Sequence, residues 1–185
     1  DATAAYLYYF TVMSDKLPEL IDPIMLAERR AEWAGAIEIA AMPRLSESVA
    51  DSGGMVEVNV RFGKEGKFPV IVGKIDAQLN LECQNCLDAM QWPVSLNFKL
   101  AVVSSLQQAE QMEIDAEPLL FNGERLPFNA LIEDEILLSL PDYPRHEHDC
   151  IQKRQSQDRD YDQQHTQAEV ANPFSVLAKL KKTGE

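Results

Sequence analysis

Val56-Glu57-Val58-Asn59-Val60-Arg61-Phe62 alternates apolar and polar residues without a break. Period-two alternation puts one set of side chains on each face of an extended chain, so the stretch reads as a half-buried strand. Gly53-Gly54 precedes it and Gly63-Lys64-Glu65-Gly66 follows, which predicts a turn and a returning strand over Phe68 to Leu81. In that second strand Ile75, Ala77, Leu79 and Leu81 alternate with Asp76, Gln78, Asn80 and Glu82. A third strand is expected from Gln91 to Ser104, with Trp92, Val94, Leu96, Phe98, Leu100 and Val102 on one side. The result is a three-stranded antiparallel meander, with Trp92, Val94, Leu96, Phe98 and Leu100 in its core.

Outward from the meander the pattern turns helical. Asp22-Pro23 reads as an N-cap followed by proline at the first helical position, opening a helix through Ile24, Leu26, Ala27, Arg30, Ala31 and Trp33 that ends near Gly35. Leu45 to Ala50 is expected to be a loop or short turn. After the sheet, Ser105 to Arg125 is acidic and irregular, punctuated by Pro118 and Asn122-Gly123, with room for an edge strand around Leu119 to Phe121. Ala130 to Leu140 then places Leu131, Ile132, Ile136, Leu137 and Leu140 at helical spacing, with Glu133, Asp134 and Glu135 as an exposed cluster, until Pro141 and Pro144 stop the helix. The fold class is therefore α+β: an antiparallel β-sheet (meander) with flanking helices and a flexible C-terminal tail.

A chain of 185 residues with 45% hydrophobic content buries one sizeable core. The domain is placed at 13–150. Residues 2–12 form an apolar run shorter than the roughly 20 residues of a membrane helix and lack a basic leader, so no membrane role is expected. Translation is expected to begin at Met13, with 1–12 a start-site or non-native extension outside the fold. Residues 151–171 are rich in Gln, Asp, Arg and Lys and read as a flexible linker. Residues 172–185 follow as a short helical motif, with Asn172 and Pro173 at its start, an apolar stripe of Phe174, Leu177 and Leu180, and Lys181 and Lys182 at its end. A helix this short needs something to pack on, either its own domain or a groove in a partner.

The three cysteines gather at two points. Cys83 and Cys86 form a C-x-x-C pair between two strands, at a hairpin end, and Cys150 closes His146-Glu147-His148-Asp149-Cys150. Two thiolates from a tight turn, a third thiolate and one of the two histidines supply the four ligands of a closed zinc site. The same spacing also serves thioredoxin-like redox chemistry or purely structural cysteines. The redox reading requires a helix N-terminus in a βαβ unit, and that context is missing here. Three cysteines make no disulfide framework, and an intracellular, cytoplasmic location follows as the simpler inference.

Net charge is −13 and the pI is near 4.6. Such a chain opposes non-specific binding to phosphate backbones, which relies on Lys and Arg displacing counterions. Between Gln107 and Cys150 lie Glu110, Glu113, Asp115, Glu117, Glu124, Glu133, Asp134, Glu135, Asp142, Glu147 and Asp149, opposed only by Arg125 and Arg145. That surface either aids solubility or docks a basic protein. Nucleotide-binding, hydrolase and metalloprotease motifs are absent. The concrete enzymatic alternative is a metal-dependent ribonuclease holding Mg²⁺ on Glu133, Asp134 and Glu135, although neighbours on a helix diverge by about 100° and do not converge on one ion unaided.

Taken together, Leu17-Pro18, Asp22-Pro23, Leu81-Glu82-Cys83-Gln84-Asn85-Cys86, the helix from Leu131 to Pro141, the ending at Cys150 and the terminal Asn172-Pro-Phe-Ser-Val-Leu-Ala-Lys-Leu-Lys181 resemble the bacterial YceD family, known as large ribosomal RNA subunit accumulation proteins. The resemblance runs from about Leu17 to Lys182. It implies a non-enzymatic ribosome-biogenesis factor, without a catalytic site or cofactor beyond a possible zinc ion, that promotes synthesis, processing or accumulation of large-subunit (23S) ribosomal RNA. Expected partners are large-subunit precursors, ribosomal proteins or assembly factors, met through Glu133, Asp134, Glu135, Phe174, Leu177 and Leu180, with RNA contacted indirectly. Some members of that family carry a second downstream cysteine pair; this chain has Cys150 with His146 and His148 instead.

Overall fold

The strict alternation around Val56 continues past its predicted end. In a computed structural model, which describes residues 12–13 and 17–150, the strand extends to Glu65 and pairs with the next through Glu65 and Phe68, leaving only Gly66 and Lys67 as the turn. Gly66 sits at φ +58, a left-handed conformation that glycine adopts without a Cβ penalty. The expected four-residue turn is thus shortened, because Gly63, Lys64 and Glu65 join the ladder.

In chain order the elements are β1 (Val12–Met13), β2 (Leu20–Ile21), α1 (Pro23–Arg29), β3 (Glu32–Glu38), a 3₁₀ turn (Ile39–Ala41), α2 (Pro43–Ser48), β4 (Met55–Glu65), β5 (Phe68–Glu82), β6 (Ala89–Val103), α3 (Leu106–Glu110), β7 (Glu117–Leu120), β8 (Leu126–Pro127) and α4 (Phe128–Ser139). The meander β4-β5-β6 forms as expected, inside a six-stranded sheet ordered β1-β3-β4-β5-β6-β7. The interior pairs are antiparallel, while β1 joins β3 and β7 joins β6 in parallel. β2 and β8 make a separate antiparallel pair. The class is α+β, with a mixed sheet in place of a purely antiparallel one. Val12 and Met13 pair with Trp33 and Ala34.

One helix is shorter than its sequence pattern. Asp22 caps α1 by accepting from the N–H groups of Ile24 and Met25, as the Asp-Pro signal predicts. The helix stops at Arg29, because Arg30 turns left-handed at φ 51 and donates its N–H back to Ala27. Trp33 and Gly35, expected in the helix, belong to β3, where they oppose Val60 and Val58. Ala34 between them suits either structure; the free edge of β4 decides the outcome. Leu45 likewise lies in α2, with Pro43 at its start, and not in a loop. The edge strand near Leu119 is present as β7, and α4 begins two residues before Ala130.

The main core lies on the sheet face carrying Val56, Val58, Val60 and Phe62, with Ile71, Ile75 and Leu79 from β5 and Val94, Phe98 and Leu100 from β6. Trp92 and Leu96 pack against it partly buried. Phe128, Leu131, Ile132 and Ile136 of α4 cover this face together with Leu45 of α2. Gly73 is required here: a Cβ would lie 2.2 Å from Cζ of Phe98, whose ring occupies the space. The opposite face has a smaller cluster of Phe68, Val70, Ala101 and Val103, covered by Ala109, Met112, Ile114 and Ala116. No described helix is long and apolar enough to cross a membrane.

Candidate metal centre and acidic face

β5 and β6 end at the Glu82–Ala89 pair, and six residues connect them. Their loop closes by its own backbone: the N–H of Cys83 donates to the carbonyl of Asp88 at 2.9 Å, and the N–H of Leu87 to that of Cys83 at 2.8 Å. Leu87 takes φ 64, an unusual position for a residue with a branched side chain. After α4, Pro141 and Pro144 prevent further helix and send the chain back past this loop, where the N–H of Gln84 donates to the carbonyl of Pro144 at 2.9 Å. That bond sets His146 and Cys150 beside Cys83 and Cys86.

The donor atoms of Cys83, Cys86, His146 and Cys150 all lie within 4.8 Å of one another. The Sγ atoms of Cys83 and Cys150 are 3.7 Å apart, and Sγ of Cys86 is 3.5 Å from Nδ1 of His146. A tetrahedron with Zn–S of about 2.3 Å and Zn–N of about 2.05 Å has S···S edges of about 3.8 Å and S···N edges of about 3.6 Å. Both separations match a closed Cys₃His site. The cysteines are free thiols and buried, as a structural centre requires. Of the five sequence candidates, His148 is not brought in: it is exposed and its ring lies tilted over that of His146 at 4.7 Å between centroids.

The loop also prepares a charge. Burial works against ionisation of Cys83, yet the backbone N–H groups of Cys86, His146 and Asn85 outweigh it and bring the thiol down to about 5. Cys150 moves the other way, to about 11, through burial and its hydrogen bonds and proximity to Cys83 and Cys86. Several thiolates converging on one point repel one another, and a divalent cation removes that repulsion.

The expected exposed trio on α4 is corrected at its first member. Glu133 is 3% exposed, turned inward by helical phase beside Ile132 and Ile136. Its Oε1 accepts from the N–H of Leu45 at 2.9 Å, and its Oε2 accepts from Nε and Nη2 of Arg44 at 3.1 and 2.8 Å. Nη1 of Arg44 donates to Asp134 at 2.5 Å, so one guanidinium straps α2 to α4. Asp134 and Glu133 together raise the Arg44 pKa. A magnesium ion on these two carboxylates would have to displace Arg44. Asp134 is exposed, and Glu135 is half-buried, its pKa raised by burial and by Glu117 and Asp134. Arg44 was invisible as a partner in the sequence, lying 89 residues from Glu133. Phe174, Leu177 and Leu180, with the linker and tail, lie outside the described residues.

Residues 71–181 match the family model described as large ribosomal RNA subunit accumulation protein YceD. The chain is 34% identical over 171 residues to the large ribosomal RNA subunit accumulation protein YceD of Haemophilus influenzae, covering 90% of this chain and 97% of that relative. No solved structure matches. With this agreement along nearly its whole length, the chain belongs to the YceD family.

Proposed function

We propose that this chain is a non-enzymatic ribosome-biogenesis factor that promotes accumulation of the large-subunit (23S) ribosomal RNA. The observation that carries this reading is the alignment with the Haemophilus influenzae relative over 90% of the chain, which preserves the whole domain and not a single motif. Charge decides the manner of action. At −13, the chain is repelled by free RNA, whereas cationic ribosomal proteins or assembly factors are attracted to its acidic segment. RNA is then contacted inside the precursor, in the cytoplasm, through proteins already bound to it.

Zinc belongs to this reading as a structural ion on Cys83, Cys86, His146 and Cys150. All four positions are ligands, so none remains for a substrate, as in non-catalytic zinc sites. Its contribution is to fasten residues 141–150 to the β5–β6 loop and thereby fix the orientation of the acidic segment.

Sedimentation of the tagged protein from growing cells tests the function. It is expected to travel with large-subunit precursors, while the purified protein shows no tight binding to naked large-subunit RNA at physiological salt. Nanomolar affinity for the bare RNA would overturn the protein-first route, and cleavage of precursor RNA with Mg²⁺ or Mn²⁺ would overturn the non-enzymatic one.

A further inference from the structure

Helix α4 is apolar on its inner face and has an unexplained outer one. Asp134 and Leu138 lie one turn apart on that outer side, Glu135 flanks them, and Asp142 and Tyr143 follow just past the helix end. Leu138 is 78% exposed and Tyr143 72%, the two most exposed large hydrophobics among the described residues. Single exposed leucines are ordinary, but here two large apolar groups stand five residues apart in a stretch that also carries Asp134, Glu135 and Asp142. Burial and the neighbouring Glu117 and Asp134 raise the pKa of Glu135, so acid gathers at this side of the helix even with Arg44 paired to Asp134. The face suits an occupant that is both apolar and cationic.

The chain contains such a segment. Phe174, Leu177 and Leu180 recur at three-residue spacing, and Lys179, Lys181 and Lys182 put three cations within four positions. The described chain ends at Cys150, seven residues after Tyr143, and residues 151–171 supply the tether. A connection of that length reaches at most roughly 70 Å, so the segment is held within range of the face and would meet it intramolecularly.

We propose that in the free protein residues 172–182 dock in cis on the outer face of α4, with Phe174, Leu177 and Leu180 covering Leu138 and Tyr143 and the lysines against Asp134, Glu135 and Asp142. The contact itself needs no ribosome, so its failure and the failure of the biogenesis reading are separate outcomes.

The test uses full-length protein with the photoreactive residue p-benzoylphenylalanine in place of Leu138, mixed from ¹⁴N and ¹⁵N preparations and irradiated. Cross-links to residues 172–182 are expected within single chains, reduced about tenfold by Phe174→Ala with Leu177→Ala and weakened by Lys181→Glu with Lys182→Glu. Leu138 is solvent-facing, so its replacement leaves the fold intact. Mixed-isotope cross-links alone would assign the face to a second copy, and cross-links that avoid the tail would assign it elsewhere; either overturns the proposal.

Discussion

The meander of β4, β5 and β6 and the acidic segment from Leu106 to Cys150 are similar in length but are held by different physics. The meander is closed by burial: rows such as Trp33–Val60–Gly73–Phe98 and Gly35–Val58–Ile75–Leu96 cross the sheet in register, and apolar contact is spread over many residues. The acidic segment lends short edge strands, the cover of the second cluster and one buried face of α4, and from α4 onward it is also fastened at points, by the Arg44 strap on Glu133 and Asp134 and by the Cys/His cluster. Distributed burial spreads the cost of most single changes, except at a close approach such as Gly73 against Phe98, whereas point attachment concentrates it on a few side chains. It also leaves surface free, which an interaction module needs.

Four measurements can break or sharpen that contrast. The largest effect is expected at the cluster: purified protein carries one zinc ion per chain, and chelation or Cys83→Ser removes it and lowers Tm by on the order of 10 °C. New protease cleavage should then appear between residues 141 and 150, in addition to any in 151–171 that the metal-loaded protein already shows. The chelated protein should show thiolate absorbance near 240 nm at pH 7, lost as pH falls through about 5, where Cys83 takes up its proton. A metal-free protein with unchanged Tm would remove the point-attachment half of the comparison.

Within the meander the heaviest penalty belongs to Gly73→Ala, since its Cβ would overlap the Phe98 ring; about 2–3 kcal/mol is expected in urea unfolding. Glu133→Ala follows at about 2 kcal/mol, because it leaves the Leu45 N–H without its acceptor, while Glu133→Gln costs less because its amide oxygen can still accept. Asp134→Ala is expected to change stability by no more than about 0.5 kcal/mol, as exposed ion pairs usually do. Equal losses for Glu133→Ala and Asp134→Ala would show that burial does not distinguish them.

The same contrast explains what was legible in the sequence. Periodicity shows the meander and the inner face of α4 because period two and period 3.6 are local signals, and the Asp22-Pro23 cap is local too. β3 was hidden, because Trp33 and Gly35 follow a helix through alanines and extend only to meet β4. Glu133 was misplaced because three acids in a row suggest one solvated surface, while helical phase turns the first inward to a distant arginine. For the cluster, spacing identified Cys83, Cys86 and Cys150, but choosing His146 over His148 depends on the Gln84–Pro144 hydrogen bond, which no local pattern announces.

The claim on which the function rests is that the acidic segment works on assembling large subunits through their cationic proteins. Sucrose-gradient sedimentation of lysates containing tagged wild-type protein or the Asp134→Lys, Glu135→Lys double variant tests it most directly. Wild-type protein should comigrate with large-subunit precursors, with the variant shifted to the top of the gradient at equal thermal stability. Comigration of both forms, or of neither, would contradict it.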